Sequence, residues 1–443
     1  MIAEADTIGV FQVESRAQVQ VLPRLKPQSF DDLIVSISLI RPGPIQGNMV
    51  HPYLRRRQGI EPVTYPHPSL EPALKETLGV ILFQEQVLKV ARDMAGFTPG
   101  QGELLRRALG AKQATDQLEK FRAAFLAGAA ANGVAADVAE AVFRQLLAFG
   151  GYSFAKSHAS AFAVLVYQSG WLKLYHPRAF YVALLNNQPM GFWNAAVLTN
   201  ELRRQGIPVL PVDVHLSRPK CSIEADGIRL GLNYVKRLAE AHIEAILAAR
   251  AERPFTSLDD FCRRTRIGRN GVENLILSGT MDTWGVPRRQ LLWELGTLSL
   301  QEDALDLVVD HTPVSLPPLS SIDAMLAEQT ALGLSPGDHV MTHHRAALRQ
   351  RHILGSRNLA SCPNGASVRV AGLLVVHQSP PTAKGFHFLT LEDEDGMINV
   401  IVRPPVYHQY RHMIHSELLL LAEGKIQREG DVVNILAERI HSL

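Results

Sequence analysis

Residues 368–376 read Val-Arg-Val-Ala-Gly-Leu-Leu-Val-Val, the first of five stretches in which apolar residues follow the pattern of strands. The other four are 386–391, 397–402, 418–424 and 432–437. Short apolar runs with period-two alternation are typical of β-strands. A helical pattern near 404–415 separates the third stretch from the fourth. Five strands with a helix in that position predict a five-stranded OB β-barrel, a common single-strand-binding module.

The residues before this barrel have mainly helical patterns. Apolar positions recur at helical spacing, and they predict helices at about 84–95, 101–111, 115–131, 136–149 and 157–175. The exception is Gly9–Val13, whose pattern predicts a buried strand.

Further along, short strands are predicted near 208–213 and 228–232, and two small helical hairpins follow them. A proline-rich linker then carries one docked helix at about 321–332. The predicted fold class is multidomain α+β. Its four domains are a mainly α-helical domain at 1–177, a tandem helix-hairpin-helix region at 178–300, the linker at 301–365 and the OB barrel at 366–443.

The composition limits the function only loosely. A hydrophobic content of 46% with 20% charged residues is that of a folded globular protein. The formal net charge of +2 does not decide for or against a nucleic-acid partner, because a local basic face is enough for binding. Three widely separated cysteines, no signal-peptide pattern and no apolar run of about 18 residues predict a cytoplasmic protein that does not bind membranes.

One basic element near a predicted helix end is a candidate phosphate site. It contains Arg106, Arg107 and Lys112. Arginine suits a triphosphate because its planar group donates paired hydrogen bonds to phosphate oxygens. The alternative is an ordinary solvated helix face.

A second basic element lies where the helix at 157–175 is predicted to begin. Backbone amides at this start, together with Lys156, Ser157 and His158, could hold one phosphate. Tyr167 is close to the same helix face as Lys156 and could stack on a base. The alternative is an N-cap serine with a packed tyrosine.

Two other charged clusters favour structural interpretations. Arg55, Arg56 and Arg57 form a basic run that could contact a nucleic-acid backbone, but a solvated loop explains them as well. The acidic run 392–396 lies between two predicted strands and ends in glycine, which predicts a hairpin turn and not a metal centre. The sequence contains no catalytic triad, P-loop or zinc motif, so the residues themselves suggest binding and no bond-making group.

An ordered set of motifs resembles the fingers of the bacterial DNA polymerase III alpha subunit, of the DnaE type. The motifs are Gly9-Val-Phe-Gln-Val-Glu-Ser-Arg, Arg41-Pro-Gly-Pro, Gly79-Val-Ile-Leu-Phe-Gln-Glu-Gln-Val, Leu105-Arg-Arg-Ala-Leu-Gly and the segment from Lys156-Ser-His-Ala to Trp171-Leu-Lys. Asn187-Gln-Pro-Met-Gly-Phe and Thr382-Ala-Lys-Gly resemble its error-prone, ImuC-like branch. The resemblance covers essentially the whole chain.

The resemblance implies template-directed nucleotidyl transfer in DNA replication and repair, with Mg²⁺ held by palm aspartates in the complete polymerase. Those aspartates precede the Gly-Val-Phe-Gln motif in the family. The chain begins just before this motif, so we expect no catalytic residue and no metal site in it, and no activity of the chain alone.

The implied partners are DNA and the incoming dNTP, with a sliding clamp and error-prone polymerase accessory proteins as further candidates. The implied DNA-binding residues are Arg41, Arg55, Arg56, Arg57, Lys236, Arg269, Lys384, Phe386, Phe388 and Arg403. The family usually has glycines where this chain has Arg237-Leu-Ala, which puts duplex binding by the first hairpin in question. Gln290-Leu-Leu-Trp is a weak clamp motif and fits an amphipathic helix better.

Two other functions are compatible with these patterns. The chain could be a non-catalytic DNA-binding remnant or partner-docking module. An OB-bearing RNA-binding protein is a third possibility, which the helical motifs disfavour.

Overall fold

A computed structural model describes residues 1–41, 50–110, 115–150, 154–298 and 315–443. It divides into two units. The first unit is Met1–Tyr175 with the turn Glu429–Val432, and the second unit is His176–Arg428 with Val433–Leu443.

The helices of the first unit begin where the sequence supplies caps. The helix Phe30–Leu39 starts with a capping box, in which the Ser29 hydroxyl accepts from the Asp32 N–H and the Asp32 carboxylate accepts from the Ser29 N–H. The helices of this unit are α1 (Arg16–Leu25), α2 (Phe30–Leu39), α3 (Val50–Arg57), α4 (Glu71–Leu74), α5 (Gln84–Ala95), α6 (Pro99–Gly110), α7 (Thr115–Ala131), α8 (Ala136–Gly150) and α9 (Lys156–Tyr175). The five predicted helices are therefore confirmed to within two residues at each end.

The predicted strand at Gly9–Val13 is wrong. This segment forms turns, because Gly9 and Gln12 have φ values of 81° and 67°, which an extended strand cannot contain. Val10 and Val13 are nevertheless fully buried, so the apolar pattern marked core positions and not a strand.

The second unit begins with two helices that pack against a small sheet. Its helices are α10 (Pro177–Asn186), α11 (Ala195–Arg204), α12 (Glu240–Glu252), α13 (Leu258–Thr265), α14 (Arg269–Leu277), α15 (Arg288–Thr297), α16 (Ser321–Leu332), α17 (Val340–Gln350), α18 (Ser356–Leu359) and α19 (Pro404–Ser416). The sheet has β1 (Val209–Leu210) and β2 (Ser222–Ile223) on either side of β3 (Ile228–Arg229). The two short strands predicted near 208–213 and 228–232 are present as β1 and β3, but each has only two residues.

The linker contains more structure than the sequence predicted. Its docked helix is α16, as expected, but α17 and α18 follow it. Met341 and Leu348 of α17 are buried with Ala371 and Leu421 of the barrel. The position of α17 is therefore determined by its packing against the barrel and not by its local sequence.

The carboxyl-terminal strands close into the predicted barrel. They are β4 (Ser367–Gln378), β5 (His387–Glu392), β6 (Met397–Val402), β7 (Leu419–Glu429) and β8 (Val432–Ser442). Their order is β4-β5-β6-β8-β7, with β4 paired to β7 and with β6 parallel to β8. Alternate residues such as Leu389, Leu391, Val400 and Ile435 fill the interior. The predicted fold class is confirmed, including the OB barrel with its helix between the third and fourth strands.

Candidate nucleotide and nucleic-acid sites

The start of α9 is an anion site that a carboxylate of this chain occupies. The Lys156 N–H lies 3.2 Å and 3.1 Å from the two carboxylate oxygens of Glu85. The Lys156 ammonium donates to Glu76 at 2.6 Å and lies 5.6 Å from the centre of the Phe83 ring. Because free amides at a helix start attract anions, Glu85 now stands where the sequence predicted a phosphate.

Arg106 and Arg107 share one carboxylate on α6. Arg106 donates to Glu103 through Nε and Nη2 at 2.7 Å each, and Arg107 Nε donates at 2.9 Å. These hydrogen bonds lower the pKa of Glu103 to about 2. The Glu103 bond, with a smaller contribution from the Glu85 charge, raises the pKa of Arg106. Glu85 therefore accepts from the Lys156 N–H and also makes a small favourable contribution to the charge of Arg106. Lys112 lies outside the described residues.

His158 belongs to a row of aromatic rings. Its ring centre lies 5.0 Å from that of Phe154 and 4.4 Å from that of Phe162, both nearly perpendicular. The guanidinium of Arg41 lies 3.8 Å from the centre of the Phe154 ring, and burial lowers the pKa of Arg41. The spacing of His158 and Phe162 is the signal in the sequence for part of this row, because residues four apart lie on one helix face. Phe154 precedes α9 and joins the row only in the folded chain.

Ser157 and Tyr167 are both exposed residues of α9. The helix already begins at Lys156, so Ser157 is not its N-cap, and Tyr167 is 57% exposed and not packed. The structural alternative for these two residues is therefore wrong. Their exposure leaves both available to a ligand.

The three arginines at 55–57 hold neighbouring segments. Arg55 pairs with Glu61, Arg56 donates to the Leu78 carbonyl at 2.6 Å, and Arg57 donates to Asp32 at 2.8 Å. A nucleic-acid backbone would have to replace or share these contacts.

In the hairpin region, the two predicted cations differ in their surroundings. The Lys236 ammonium donates to the Thr330 carbonyl at the end of α16, at 2.8 Å. Arg269 is exposed at the first residue of α14.

On the barrel, the predicted residues lie on the β5–β6 hairpin and at its ends. Phe388 pairs with Ile401 across the two strands. It lies on the face of the strand opposite to the buried Leu389 and Leu391, because successive residues of a strand face opposite sides. Lys384 is exposed in the β4–β5 loop, Phe386 is half-buried just before β5, and Arg403 is exposed directly before α19.

The acidic run 392–396 is a hairpin turn, as predicted, but its first two carboxylates are buried. Glu392 and Asp393 are fully buried. Arg204 donates to Glu392 at 2.8 Å, and Arg345 donates to Asp393 at 3.1 Å and to Glu394. The hydrogen bond with Glu394 raises the pKa of Arg345. Sequence analysis missed this network, because the partners of Glu392 and Asp393 are distant in the chain.

A pair of histidines joins the ends of β4 and β5. His377 Nε2 lies 2.9 Å from His387 Nδ1, and the His387 ring stacks on Tyr407 with centres 3.4 Å apart. Partial burial, and then the charges of neighbouring histidines, lower the pKa of both His377 and His387.

We expect the barrel to lose stability on acidification because of this pair. The unfolded chain takes up these protons first, near the ordinary pKa of 6.5, so stability is full above that pH and is lost as the pH falls below it. Thermal unfolding midpoints measured between pH 7.5 and 5 should fall more for the parent protein than for His377→Gln. The variant His412→Gln, at an exposed position of α19, serves as the control. Equal pH dependence in all three proteins would contradict the assignment.

Among the described residues, no group of three or more histidine, cysteine, aspartate or glutamate side chains is arranged to hold a metal ion. Within the same residues, no helix has the length and apolar character to cross a membrane.

Three family profiles match the chain in the order of its structural regions. They are the bacterial DNA polymerase III alpha subunit finger domain at residues 1–133, a helix-hairpin-helix motif at 206–291 and an OB-fold nucleic-acid-binding domain at 365–443.

Known proteins are similar along the whole chain. An error-prone DNA polymerase of Anaeromyxobacter dehalogenans (strain 2CP-C) is 44% identical over 100% of this chain and 40% of its own length. One from Bordetella bronchiseptica (strain ATCC BAA-588 / NCTC 13252 / RB50) is 43% identical over 100% of this chain and 43% of its own length. The chain thus spans less than half the length of these relatives, and it matches their carboxyl-terminal portion. A crystal structure of asparaginyl-tRNA synthetase from Pyrococcus horikoshii covers 20% of the chain at 16% identity with a TM-score of 0.18, too little to bear on the fold.

Proposed function

We propose that this chain is the nucleotide- and DNA-binding part of a DNA-directed DNA polymerase of the bacterial DNA polymerase III alpha family, acting in replication and repair. It matches the finger domain of that family over residues 1–133 and is similar throughout to error-prone DNA polymerases. The observation that carries this proposal is the 44% identity over 100% of the chain, with finger, hairpin and OB regions in one order.

The first unit would bind the incoming dNTP. Arg106, Arg107 and Lys156 are the cations proposed for its phosphates. The carboxylate of Glu85 supports one shared site, because it accepts from the Lys156 N–H and also favours the charge of Arg106. In this account the phosphates replace carboxylates that now pair with the cations. Lys112, Ser157, His158 and Tyr167 are the further proposed nucleotide-binding residues.

The second unit would bind DNA. Lys236 and Arg269 of the hairpin region are proposed for the duplex, and Lys384, Phe386, Phe388 and Arg403 of the barrel for the single-stranded template. Exposed cations beside partly exposed aromatic rings support the barrel assignment, because bases stack on such rings. Arg41 and Arg55–Arg57 of the first unit are the further proposed DNA contacts.

The bond-making residues would lie in the part of the relatives that this chain does not span. There, bound Mg²⁺ would activate the primer hydroxyl and stabilise the leaving pyrophosphate. The residues of this chain would contribute by holding the triphosphate, the duplex and the template in position.

We also propose a cytoplasmic location, a four-domain division at 177, 300 and 365, and contacts with a sliding clamp and accessory proteins. The three free cysteines support a reducing compartment, and burial raises the pKa of Cys221 to about 11.

The weak clamp motif Gln290–Trp293 lies on α15. Leu291 is buried and Trp293 is 54% exposed, as on an amphipathic helix.

Reconstitution tests the proposal. The chain alone should bind DNA without extending a primer. Mixed or co-expressed with the remaining portion of the Anaeromyxobacter relative, it should give Mg²⁺-dependent extension. Robust extension by the pure chain would contradict the division of labour, and failure of a folded, DNA-binding mixture to synthesise would favour the alternative of a non-catalytic binding module.

A further inference from the structure

The turns of two successive helical hairpins each place an arginine in a backbone conformation that favours glycine. Arg237, before α12, has a φ of 63°, and Arg266, between α13 and α14, has a φ of 53°. Both residues are exposed. Residues with a Cβ are disfavoured in this region of backbone space, so a glycine at either position would relieve the backbone. At Arg237 this conformation coincides with an exposed cation in a hairpin turn, which makes the side chain a candidate for function.

The first of these turns lies against the second hairpin. The Asn274 side-chain amide on α14 donates to the Lys236 carbonyl at 2.6 Å. A Cβ built on Gly271 would lie 3.7 Å from the Arg237 carbonyl oxygen. Arg237 and the first turn of α14, which begins with Arg269, therefore belong to one surface.

Arg237 and Arg269 are cations of this surface whose side chains do not contribute to holding the described fold together. Neither makes a side-chain hydrogen bond or ion pair with another residue of the described ranges. Lys236 differs from these two arginines. Its ammonium donates to the Thr330 carbonyl at 2.8 Å, and its N–H donates to the Ala331 carbonyl at 2.9 Å. Lys236 therefore binds the end of α16, whereas the neighbouring Arg237 is exposed to solvent.

We propose that Arg237 and Arg269 together grip the phosphate backbone of duplex DNA, with Arg237 supplying by its side chain the contact that a glycine turn makes by close backbone approach. The inference rests on the proposed DNA-binding function and names the residues and chemistry of the duplex contact. A guanidinium reaches further than a backbone amide and donates paired hydrogen bonds to one phosphate. The left-handed backbone at position 237 keeps the turn in the shape a glycine would give it.

The variant Arg237→Gly separates this role from a structural one. It removes the cation and relieves the backbone at once, so thermal stability should stay equal or rise. Affinity for a blunt DNA duplex should fall about 5- to 20-fold in low salt, and the slope of log affinity against log salt should shrink by about 0.9, the contribution of one phosphate contact. Arg269→Ala should lose affinity to a similar extent, and Arg237→Lys should keep the slope while binding more weakly.

Lys26→Gly is the matched control. Lys26 is an exposed cation of the first unit with a φ of 47°, so this change relieves the same kind of backbone without touching the hairpins. It should leave duplex binding unchanged. If the parent chain binds duplex and Arg237→Gly binds with the same affinity and salt slope, the inference is overturned and the proposed function stands. A parent chain that binds no DNA would overturn both.

Discussion

Replacing Asp393 with alanine is expected to lower the free energy of unfolding of the second unit by about 3–5 kcal/mol, the range for breaking one partner out of a buried ion pair. The Asp393 carboxylate is fully buried and accepts five hydrogen bonds. Its donors are Arg345, the N–H and hydroxyl of Ser356, and the N–H groups of Asp395 and Gly396. Alanine would remove the acceptor from the Ser356, Asp395 and Gly396 donors and would leave Arg345 with Glu394 alone. Urea unfolding followed by circular dichroism measures the loss.

The same turn provides the control for Asp393. Asp395 is exposed, and its replacement by alanine removes the same charge from the run without opening the buried network. We expect its effect to stay within about 0.5 kcal/mol. A loss below about 1 kcal/mol for Asp393→Ala would mean that the network is not what holds the β5–β6 turn.

Loss of Arg106 or Lys156 is expected to weaken binding of a nucleoside triphosphate by about 10- to 100-fold. Hydrogen bonds to charged groups contribute about 1.5–3 kcal/mol each, which corresponds to this range. Titration of a fluorescent dNTP analogue into Arg106→Ala and Lys156→Ala, read by anisotropy, measures the change. Arg144→Ala, which removes an exposed cation from α8 of the same unit, should bind as the parent does.

Removing a carboxylate near this site should have the opposite effect and raise the affinity for the triphosphate. Glu76 pairs with the Lys156 ammonium at 2.6 Å, so Glu76→Gln should release the cation and raise triphosphate affinity a few-fold. Affinities within twofold of the parent for both cation variants would place the dNTP site elsewhere.

The barrel and most helices could be predicted because their patterns are local. The strands β4 to β8 bury alternate residues, and α5 and α7 have the predicted bounds, since apolar periodicity alone defines such elements. Gly9–Val13 failed because an apolar pattern does not reveal the positive φ values that turn the chain there. The helix α17 was missed because its register depends on burial of Met341 and Leu348 against the barrel.

In the candidate sites, too, local features could be predicted from the sequence and contacts between distant residues could not. The cations Arg106 and Lys156 could be found by their position near helix ends. Their pairing with Glu103, Glu85 and Glu76 could be found only in part, because Glu76 precedes Lys156 by 80 residues. Likewise Arg204 and Glu392 are 188 residues apart, so the buried network could be seen only in the folded chain.

Binding of a primer–template duplex with a single-stranded overhang tests the central claim most directly. We would titrate the labelled DNA with the whole chain at several salt concentrations and follow its anisotropy. The account predicts saturable binding in low salt that weakens linearly on a log–log plot with a slope of several units, because several phosphates are contacted. Absence of saturable binding in low salt by a folded chain would contradict it.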